Sequence, residues 1–476
     1  MSLTGALNAA LSGIQTSTTA VQIISSNVAN AQTPGYTEKS IDLSQIVTGG
    51  AYGGAEVSGY TRVSDSVLSA TLNSATSTAS YLSTQNSYLS QIQSILDSSS
   101  TTPTLSATLS NFQSAWTEFA AAPESSTDQA QLVSAGEQMA NAVGAIASQL
   151  GTLQSNAESS LSTTVTTLNT DLQQVQSLNT QIQTAEANSQ SPSDLEDQRD
   201  QVVNQIAAIT NVQIMQRNDG TIALYTPGGT LLLDGQAQTF SVSNNTVVNA
   251  IGADVSGSLT GGSLQARTDF LSTNTSNTGN GVAVISKLQA QLQGFVSLFT
   301  NTASGGFAST YNSATTNTGE LASSFFTVSP DTNGNPDLST FEVNSSLVND
   351  TSLPKSAAAV PIANTFTATN LAINTTTNTT TSTFSAGGLT ASNQTYSGIA
   401  NAILSFFQQA ANSVSTSYST ASTQQSYYQS ALSSETGVNT DTELVNLTNW
   451  QNSYAASAHV ISTIEAMFTT LENMIA

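Results

Sequence analysis

Apolar residues recur with a period of seven over the first thirty positions of the chain. Two interleaved series with this period contain Leu3, Leu7, Ile14, Val21, Ile24 and Val28. Ser17 is the one polar member of the second series, which also includes Ala10. This spacing predicts a helix with a single apolar seam, which packs against another helix.

The last thirty-five positions carry the same period. Its apolar positions include Leu447, Trp450, Tyr454, Ile461, Ile464, Phe468 and Leu471. Ser457 is the polar exception, and the segment from Thr440 to Glu443 has the spacing of a capping box. We predict that the two terminal helices pair as a coiled coil through these seams and form the assembly interface. The alternative is that each seam packs into a globular core of its own.

A compact turn signal follows the first helix. Pro34 and Gly35 suit the two central positions of a type II turn, and a residue before proline avoids the helical conformation, so the helix is predicted to end near Asn30. The candidate turn site consists of Asn27, Asn30, Thr33, Pro34, Gly35 and Tyr36. We expect Tyr36 to anchor the exit of the chain against the helix pair or a neighbouring subunit.

Between the ends, long amphipathic helical patterns are interrupted by two segments rich in turn residues and short apolar runs. Pairs such as Asn218 to Gly220 and Asp234-Gly235 are hairpin signals. The predicted fold is mainly α with β insertions, a multidomain α+β chain with an elongated helical bundle and outer β-rich domains. The predicted domains are a terminal helical domain (1–60 and 435–476), a helical rod (61–211, 281–306 and 395–434), a small β domain (212–280) and a β-rich variable domain (307–394).

Charge and composition remove several classes of function. The 476 residues include 7 Lys plus Arg against 30 Asp plus Glu, a net charge of -23. Nucleic acid and anionic lipid surfaces would be repelled, so we expect neither as a partner. No apolar run approaches the roughly 18 residues of a membrane span, and no Sec-type signal peptide is visible. With no cysteine, disulfides, thiolate nucleophiles and Cys-ligated zinc are excluded.

The sequence offers no residues for an enzyme, a cofactor or a metal. His459 is the only histidine, so neither a His-based triad nor a two-His metal site can be built. The acidic residues of the segment 194–200 are interpreted as a capped, solvated first turn of a helix that also carries Arg199. The Gly-rich segment 48–59 lacks the pattern of a phosphate-binding loop, and we interpret it as a flexible or turning connection.

Four stretches together resemble the axial proteins of the bacterial flagellum, the family of rod, hook and hook-associated proteins. The terminal stretches are "NVANAQTPGYTEK" and "TELVNLTNWQNSYAASAHVISTIEAMFTTLENMI". The internal stretches "GAEVSGYTRVSDSVLSATLNSA" and "DLEDQRDQVVNQIAAITNVQIMQRNDGTIALYTPGGTLLLDG" are similar to the hook-associated group at the hook–filament junction. The chain departs from the family where Thr37-Glu38-Lys39 replaces a basic residue and Gln, and where His459 replaces a basic residue.

The resemblance implies an extracellular structural protein of the flagellum, exported unfolded through the flagellar type III apparatus without a cleaved Sec signal. It implies self-association into a ring or short helical zone at the distal end of the hook. The implied partners are the hook protein, a second hook-associated junction protein and a cytosolic export chaperone for the C-terminal region. Another axial subunit, either the second junction protein or a flagellin-like protein, is the nearest alternative, and a secreted adhesin or surface enzyme is a more distant one.

Overall fold

The computed structural model describes residues 3–48, 51–97, 104–188, 190–302, 305–369, 372–374 and 379–475. Long helices dominate these ranges. The helices are α1 (Leu3–Asn30), α2 (Ser66–Leu96), α3 (Leu105–Ala121), α4 (Ser126–Ala187), α5 (Ser193–Ile209), α6 (Gly262–Leu271), α7 (Val284–Thr300), α8 (Phe307–Ser313), α9 (Ser345–Val348), α10 (Ala359–Thr365), α11 (Tyr396–Thr436) and α12 (Thr440–Ile475). Two 3₁₀ turns lie at Leu338–Thr340 and Ser356–Ala358.

The strands are short and pair antiparallel in small sheets. They are β1 (Lys39–Thr48), β2 (Ala51–Arg62), β3 (Gln213–Gln216), β4 (Ile222–Tyr225), β5 (Leu231–Asp234), β6 (Gln236–Ala237), β7 (Phe240–Ser243), β8 (Thr246–Asn249), β9 (Phe326–Thr327), β10 (Glu342–Val343), β11 (Ala372–Asn374), β12 (Thr379–Thr381), β13 (Thr383–Ala386) and β14 (Leu389–Ser392). Strands β3 to β6 form the one sheet of four strands in the described ranges. The prediction of a mainly α fold with β insertions is confirmed.

Helix α4 runs without a break for 62 residues, about 93 Å at 1.5 Å per residue. The sequence left open whether this segment is one helix or an interrupted pair, and the structure shows one. Ser125 caps it by accepting a hydrogen bond from the backbone N–H of Asp128. Leu161, Leu168 and Val175, which share a heptad register, are all buried. The apolar stripe of α4 thus supplies the long axis of the helical core.

Aromatic side chains fill the centre of that core. Phe112 and Trp116 of α3 pack edge to face at 6.1 Å, and Phe112 also contacts Phe326 at 5.3 Å between ring centroids. Phe307 and Tyr396 join the same cluster. Segment 307–394 therefore contributes to the helical core as well as forming short strand pairs. The division of the chain into four domains stays a prediction.

Helix α1 packs against α12 and against the hairpin β1–β2. Gly13 lies opposite Ser457 and Asn27 contacts Glu443, so α1 and α12 run antiparallel. We call the unit of α1, β1, β2 and α12 the terminal module. The interpretation of segment 48–59 as a flexible or turning connection is wrong for residues 51–59, which belong to β2. Residues 49 and 50 lie outside the described residues.

Gly54 explains why this strand is rich in glycine. Its φ of 120° lies in a region that side chains rarely adopt. A Cβ atom at Gly54 would lie 3.1 Å from the Cα atom of Ala9 and would overlap Ser12. The hydroxyl of Ser12 accepts a hydrogen bond from the backbone N–H of Ala55 at 3.2 Å. Glycine thus lets β2 approach the backbone of α1 closely.

Candidate assembly surface

Small residues form the closest contact between the two terminal helices. A Cβ atom at Gly13 would lie 2.6 Å from the Oγ atom of Ser457. The buried residues of α1 are Ala10, Ser12, Thr16, Ser17, Ala20, Ile24 and Asn27. Ser17 and Ser457, the two polar exceptions of the heptads, are thus small residues in or near this packed zone. The helices approach through small side chains rather than through large apolar ones.

The predicted interface residues lie at three levels of burial. Ile24 and Ile464 are buried, each with 5% of the side chain exposed. The partly buried residues are Leu7, Ile14, Val21, Leu447, Trp450 and Ile461. The exposed residues are Leu3, Val28, Tyr454, Phe468 and Leu471, with exposed fractions between 38% and 53%. A seam that two helices alone would bury is therefore only partly covered.

The uncovered apolar surface extends to residues outside the heptad positions. Leu11, Leu444, Val445 and Met467 are each between 47% and 61% exposed. A monomer rarely leaves a group of large apolar side chains in water, and such groups mark surfaces that bind other proteins. The terminal module thus presents a surface suited to further helix packing. The role of the heptad residues in assembly stays a prediction.

Asn27 is the polar centre of the terminal module and is completely buried. Its Nδ2 atom donates to the backbone carbonyl of Lys39 at 2.8 Å and to Oε1 of Glu443 at 2.6 Å. Its Oδ1 atom accepts from the hydroxyl of Tyr36 at 2.9 Å and from the backbone N–H of Lys39 at 3.2 Å. One amide therefore uses both donors and both acceptor sites to join α1, the turn, β1 and α12.

The turn after α1 has the predicted geometry. Helix α1 ends at Asn30, the backbone N–H of Tyr36 donates to the carbonyl of Thr33 at 3.2 Å, and Gly35 has a φ of 77°. These features are those of a type II turn with Pro34 and Gly35 at its centre. Asn30 and Thr33 are joined to each other by a side-chain hydrogen bond of 3.2 Å. The six residues of the candidate turn site thus lie together at one end of α1.

The start of α12 differs from the predicted capping box. The side chain of Asn439 accepts hydrogen bonds from the backbone N–H groups of Asp441 and Thr442, so Asn439 caps the helix. The prediction that Thr440 and Glu443 form the cap is therefore wrong. Glu443 contacts Asn27 instead. Burial raises the pKa of Glu443 above its usual value, the hydrogen bond from Asn27 opposes this shift, and the charge of Glu38 adds to it.

The acidic residues at the start of α5 are an ion-pair site rather than a solvated turn. We call Asp194, Glu196, Asp197 and Asp200 the acidic turn. Lys39 forms ion pairs with Asp194 and Asp197, the latter at 3.5 Å. Arg62 forms ion pairs with Glu196, Asp197 and Asp200 at 2.9, 3.0 and 2.7 Å. The interpretation as a capped, solvated first turn is wrong for Asp197, which is 5% exposed, and no side chain caps the start of α5. The side chains of Asp194 and Asp200 are 78% and 45% exposed.

Further contacts join the turn after α1 to α5. The hydroxyl of Thr37 donates to Oδ1 of Asp197 at 2.7 Å, and Nε2 of Gln201 donates to the carbonyl of Pro34 at 3.1 Å. Burial alone lowers the pKa of Arg62, but the nearby carboxylates, Asp200 first, raise it more, so its pKa lies above the usual value. The guanidinium is thus held as a cation between the terminal module and α5.

The described residues contain no group of three or more His, Cys, Asp or Glu side chains placed to hold a metal ion. His459, the only histidine, is exposed on α12. Among the described residues, no helix is long and apolar enough to cross a membrane.

Sequence reasoning missed four residues that build this site. Lys39 is the first residue of β1 and Arg62 is the last residue of β2, and their carboxylate partners lie more than 130 positions away. The capping-box pattern gives Glu443 a purely local role, and no sequence pattern singles out Ser12. The scarcity of basic residues was a usable signal, because a buried acidic helix start in a chain with 7 Lys plus Arg needs one of them nearby.

Three family models match separate parts of the chain. The model described as the flagellar hook-associated protein FlgK helical domain matches residues 89–315. The C-terminal model of the flagellar basal body rod FlgEFG proteins matches residues 428–474. The flagella basal body rod protein model matches residues 7–37, which contain most of α1 and the turn.

Two curated relatives are similar to this chain over stretches of equal length. Flagellar hook-associated protein 1 of Salmonella typhimurium and that of Salmonella typhi are each 25% identical over 239 residues. The match covers 48% of this chain and 42% of each relative, so it spans less than half of their length. The solved flagellar hook junction protein FlgK from Burkholderia pseudomallei has a TM-score of 0.46 and 23% identity, over 55% of this chain and 47% of that chain.

Proposed function

We propose that this chain is a FlgK-like flagellar hook-associated protein and a structural subunit of the junction between hook and filament. Its role is to self-associate into a ring or short helical zone at the distal end of the hook. Its neighbours there are the hook protein and a second hook-associated junction protein. No catalytic step belongs to this role.

One observation carries the proposal. The terminal helices, which the rod-protein models match, pair with each other and still leave Leu3, Tyr454, Phe468 and Leu471 exposed. Two helices that bury only part of their apolar surface need neighbours to cover the rest. Copies of the same module, arranged around a common axis, would cover these faces. Each apolar side chain so buried contributes about 1.5 to 3 kcal/mol before the entropy of ordering is subtracted.

The proposed function also requires a route of export to the distal end of the hook. We propose export in an unfolded state through the flagellar type III apparatus, without a cleaved Sec signal, and a location outside the cell in the flagellum. A cytosolic chaperone would hold the C-terminal region before export. The exposed apolar residues of α12, such as Met467 and Phe468, are the kind of surface that a chaperone would cover.

The deciding experiment removes residues 447–476 in the native cell. The chain then lacks most of α12, and we expect hooks without filaments and flagellin shed into the medium. The matched control is a substitution of exposed Gln424 by Ala on α11, which leaves α12 intact and should leave the filaments normal. Normal filaments in the truncated strain would contradict the proposal.

The alternative of another axial subunit is separated by electron microscopy of the purified protein. A junction subunit stops after a short zone, whereas a flagellin-like subunit forms long polymers. An adhesin or surface enzyme would keep its binding or turnover after removal of both terminal helices. The partly uncovered terminal module favours a subunit of an assembly over an adhesin or a surface enzyme.

A further inference from the structure

The joint between the terminal module and the rest of the chain is narrow. Two covalent links cross it, residues 63–65 between β2 and α2 and residues 437–439 between α11 and α12. The most extensive contact between elements across this joint is that of β2 with α5. The orientation of the module therefore depends on few contacts.

Charge is concentrated at this joint in a chain that otherwise has little of it. Lys39 and Arg62 are two of the 7 basic residues in the sequence. In the described part of the chain, each ion pair except that of Arg217 with Asp234 includes a carboxylate of the acidic turn. Removal of one partner from a buried ion pair leaves an uncompensated charge, which strongly destabilises the closed arrangement.

A cleft of about 850 Å³ lies beside these ion pairs. Pro34 and Tyr36 line it from the module, and Asp200, Gln201 and Ser433 line it from α5 and α11. The two sides of the joint are in contact at the acidic turn, at the hydrogen bond from Gln201 to the carbonyl of Pro34 and at the backbone hydrogen bond from Glu38 to Thr436 (2.8 Å), and open space lies beside these contacts. Such a space permits rotation of the module once the ion pairs are broken.

We propose that the ion pairs of Lys39 and Arg62 with the acidic turn are an electrostatic latch that fixes the orientation of the terminal module on the helical body. With the latch closed, the module has one orientation. With the latch open, the module rotates about residues 63–65 and 437–439 and samples several orientations. The proposal concerns the single chain and does not depend on its place in the flagellum.

Distances between two spin labels test the latch. The sequence has no cysteine, so Gln15→Cys on α1 and Ser74→Cys on α2, both exposed positions, give two unique labelling sites. With the native latch, we expect one narrow distance distribution by double electron–electron resonance. With Arg62→Met, or with Lys39→Met, we expect the narrow distribution to be lost and replaced by a broad one.

Arg217→Met is the matched control, because it removes a cation from the ion pair outside the joint and should leave the distribution narrow. Asp200→Asn is a milder variant at a carboxylate that is 45% exposed and pairs with Arg62, and it should broaden the distribution partly. Circular dichroism identifies the variants that fold. An unchanged narrow distribution in Asp200→Asn and in every folded variant of Lys39 or Arg62 would overturn the proposal.

Discussion

At the scale of single residues, Asn27 shows why an amide stands at the centre of the terminal module. It donates to a carbonyl and to the carboxylate of Glu443, and it accepts from a hydroxyl and from a backbone N–H. A carboxylate of the same shape would repel Glu443 and could not donate. A hydroxyl has only one donor and would leave one of the two acceptors unsatisfied. The site therefore requires both donors and both acceptors.

Asn27→Asp tests this requirement with little change in volume. Two buried partners lose their donor, at about 1–3 kcal/mol each, so we expect the local free energy of opening to fall by about 2–6 kcal/mol. Hydrogen–deuterium exchange of residues 27–39 measures it. The control is Asn30→Asp, whose amide donates only to the exposed carbonyl of Ser26, with an expected loss below about 1 kcal/mol. Equal losses in the two variants would contradict the central role of Asn27.

Glu443 links the stability of the module to pH. Because burial raises its pKa, the folded chain holds the proton more tightly than the unfolded chain, whose value is near 4.5. The stability due to this group is fully present below about pH 4.5 and is lost as the pH rises through the raised pKa. Glu443→Gln keeps an acceptor for Asn27 and removes the charge, so we expect higher stability than the native chain at pH 7.

The measurement is hydrogen exchange in α12 as a function of pH. The difference between the native chain and Glu443→Gln should shrink as the pH falls toward 4.5. Asp441→Asn, at an exposed position in the same turn of α12, is the control and should not show this pH dependence. A native chain more stable than Glu443→Gln at pH 7 would refute the assignment.

At the scale of elements, α1 and α12 are held together by close backbone approach. Gly13 has no side chain and faces Ser457, and the neighbouring buried positions of α1 are Ala, Ser and Thr. Large apolar residues flank this zone and are left partly in water. Contact through small residues gives precise packing over a narrow area, so most of the apolar surface remains available to other helices.

Gly13→Val tests the close approach. The added side chain overlaps Ser457, and overpacking of this kind costs about 1–3 kcal/mol, so we expect faster hydrogen exchange in both α1 and α12. Gly144→Val on α4 is the matched control, because a Cβ atom there meets nothing within 4 Å. Gly144→Val should leave the hydrogen-exchange rates of α1 and α12 unchanged. The same effect from both variants would show that the helix propensity of valine, and not packing, is the cause.

The elements differ in how far their sequence predicts them. Pro34 and Gly35 act within four residues, so the end of α1 and the turn could be predicted and are confirmed. Strand β2 was missed because its glycines are unusual in strands, and the reason for Gly54 is its close approach to Ala9 and Ser12 of α1, which lie far away in the sequence. The acidic turn was misread for the same reason, since Arg62 lies 135 positions from Asp197. Local signals were sufficient for local structure, and long-range pairs were not visible.

At the scale of the whole molecule, core and ends contrast in burial. Phe112, Trp116 and Phe307 are fully buried in the helical core, whereas Phe468 and Leu471 of the terminal module are 42% and 53% exposed. Elements with few buried contacts open at a lower free energy than those in the core. We therefore expect the terminal module to be the least stable part of the free chain and to gain stability when neighbouring subunits cover it.

Limited proteolysis of the free and the assembled protein tests this contrast. In the free chain, we expect cleavage within the first 40 and last 40 residues before any cleavage in α3, α4 or α7. In the assembled state, the ends should become resistant while the cleavage rate of loops around residue 333 stays the same, which serves as the internal control. Resistant ends in the free chain would contradict stabilisation by assembly.

The hydrogen bond between Asn27 and Glu443 also has a consequence for the order of folding. The two residues are 416 positions apart, so their contact closes a very long loop, and contacts of this kind form late because the chain entropy must first be reduced elsewhere. During synthesis, α1 emerges long before its partner α12 exists. A chain that stops before residue 443 leaves the buried amide without one acceptor. Because Asn27 needs Glu443 as an acceptor, the terminal module can close only after the C-terminal helix has been translated. A truncated chain would therefore leave the module open.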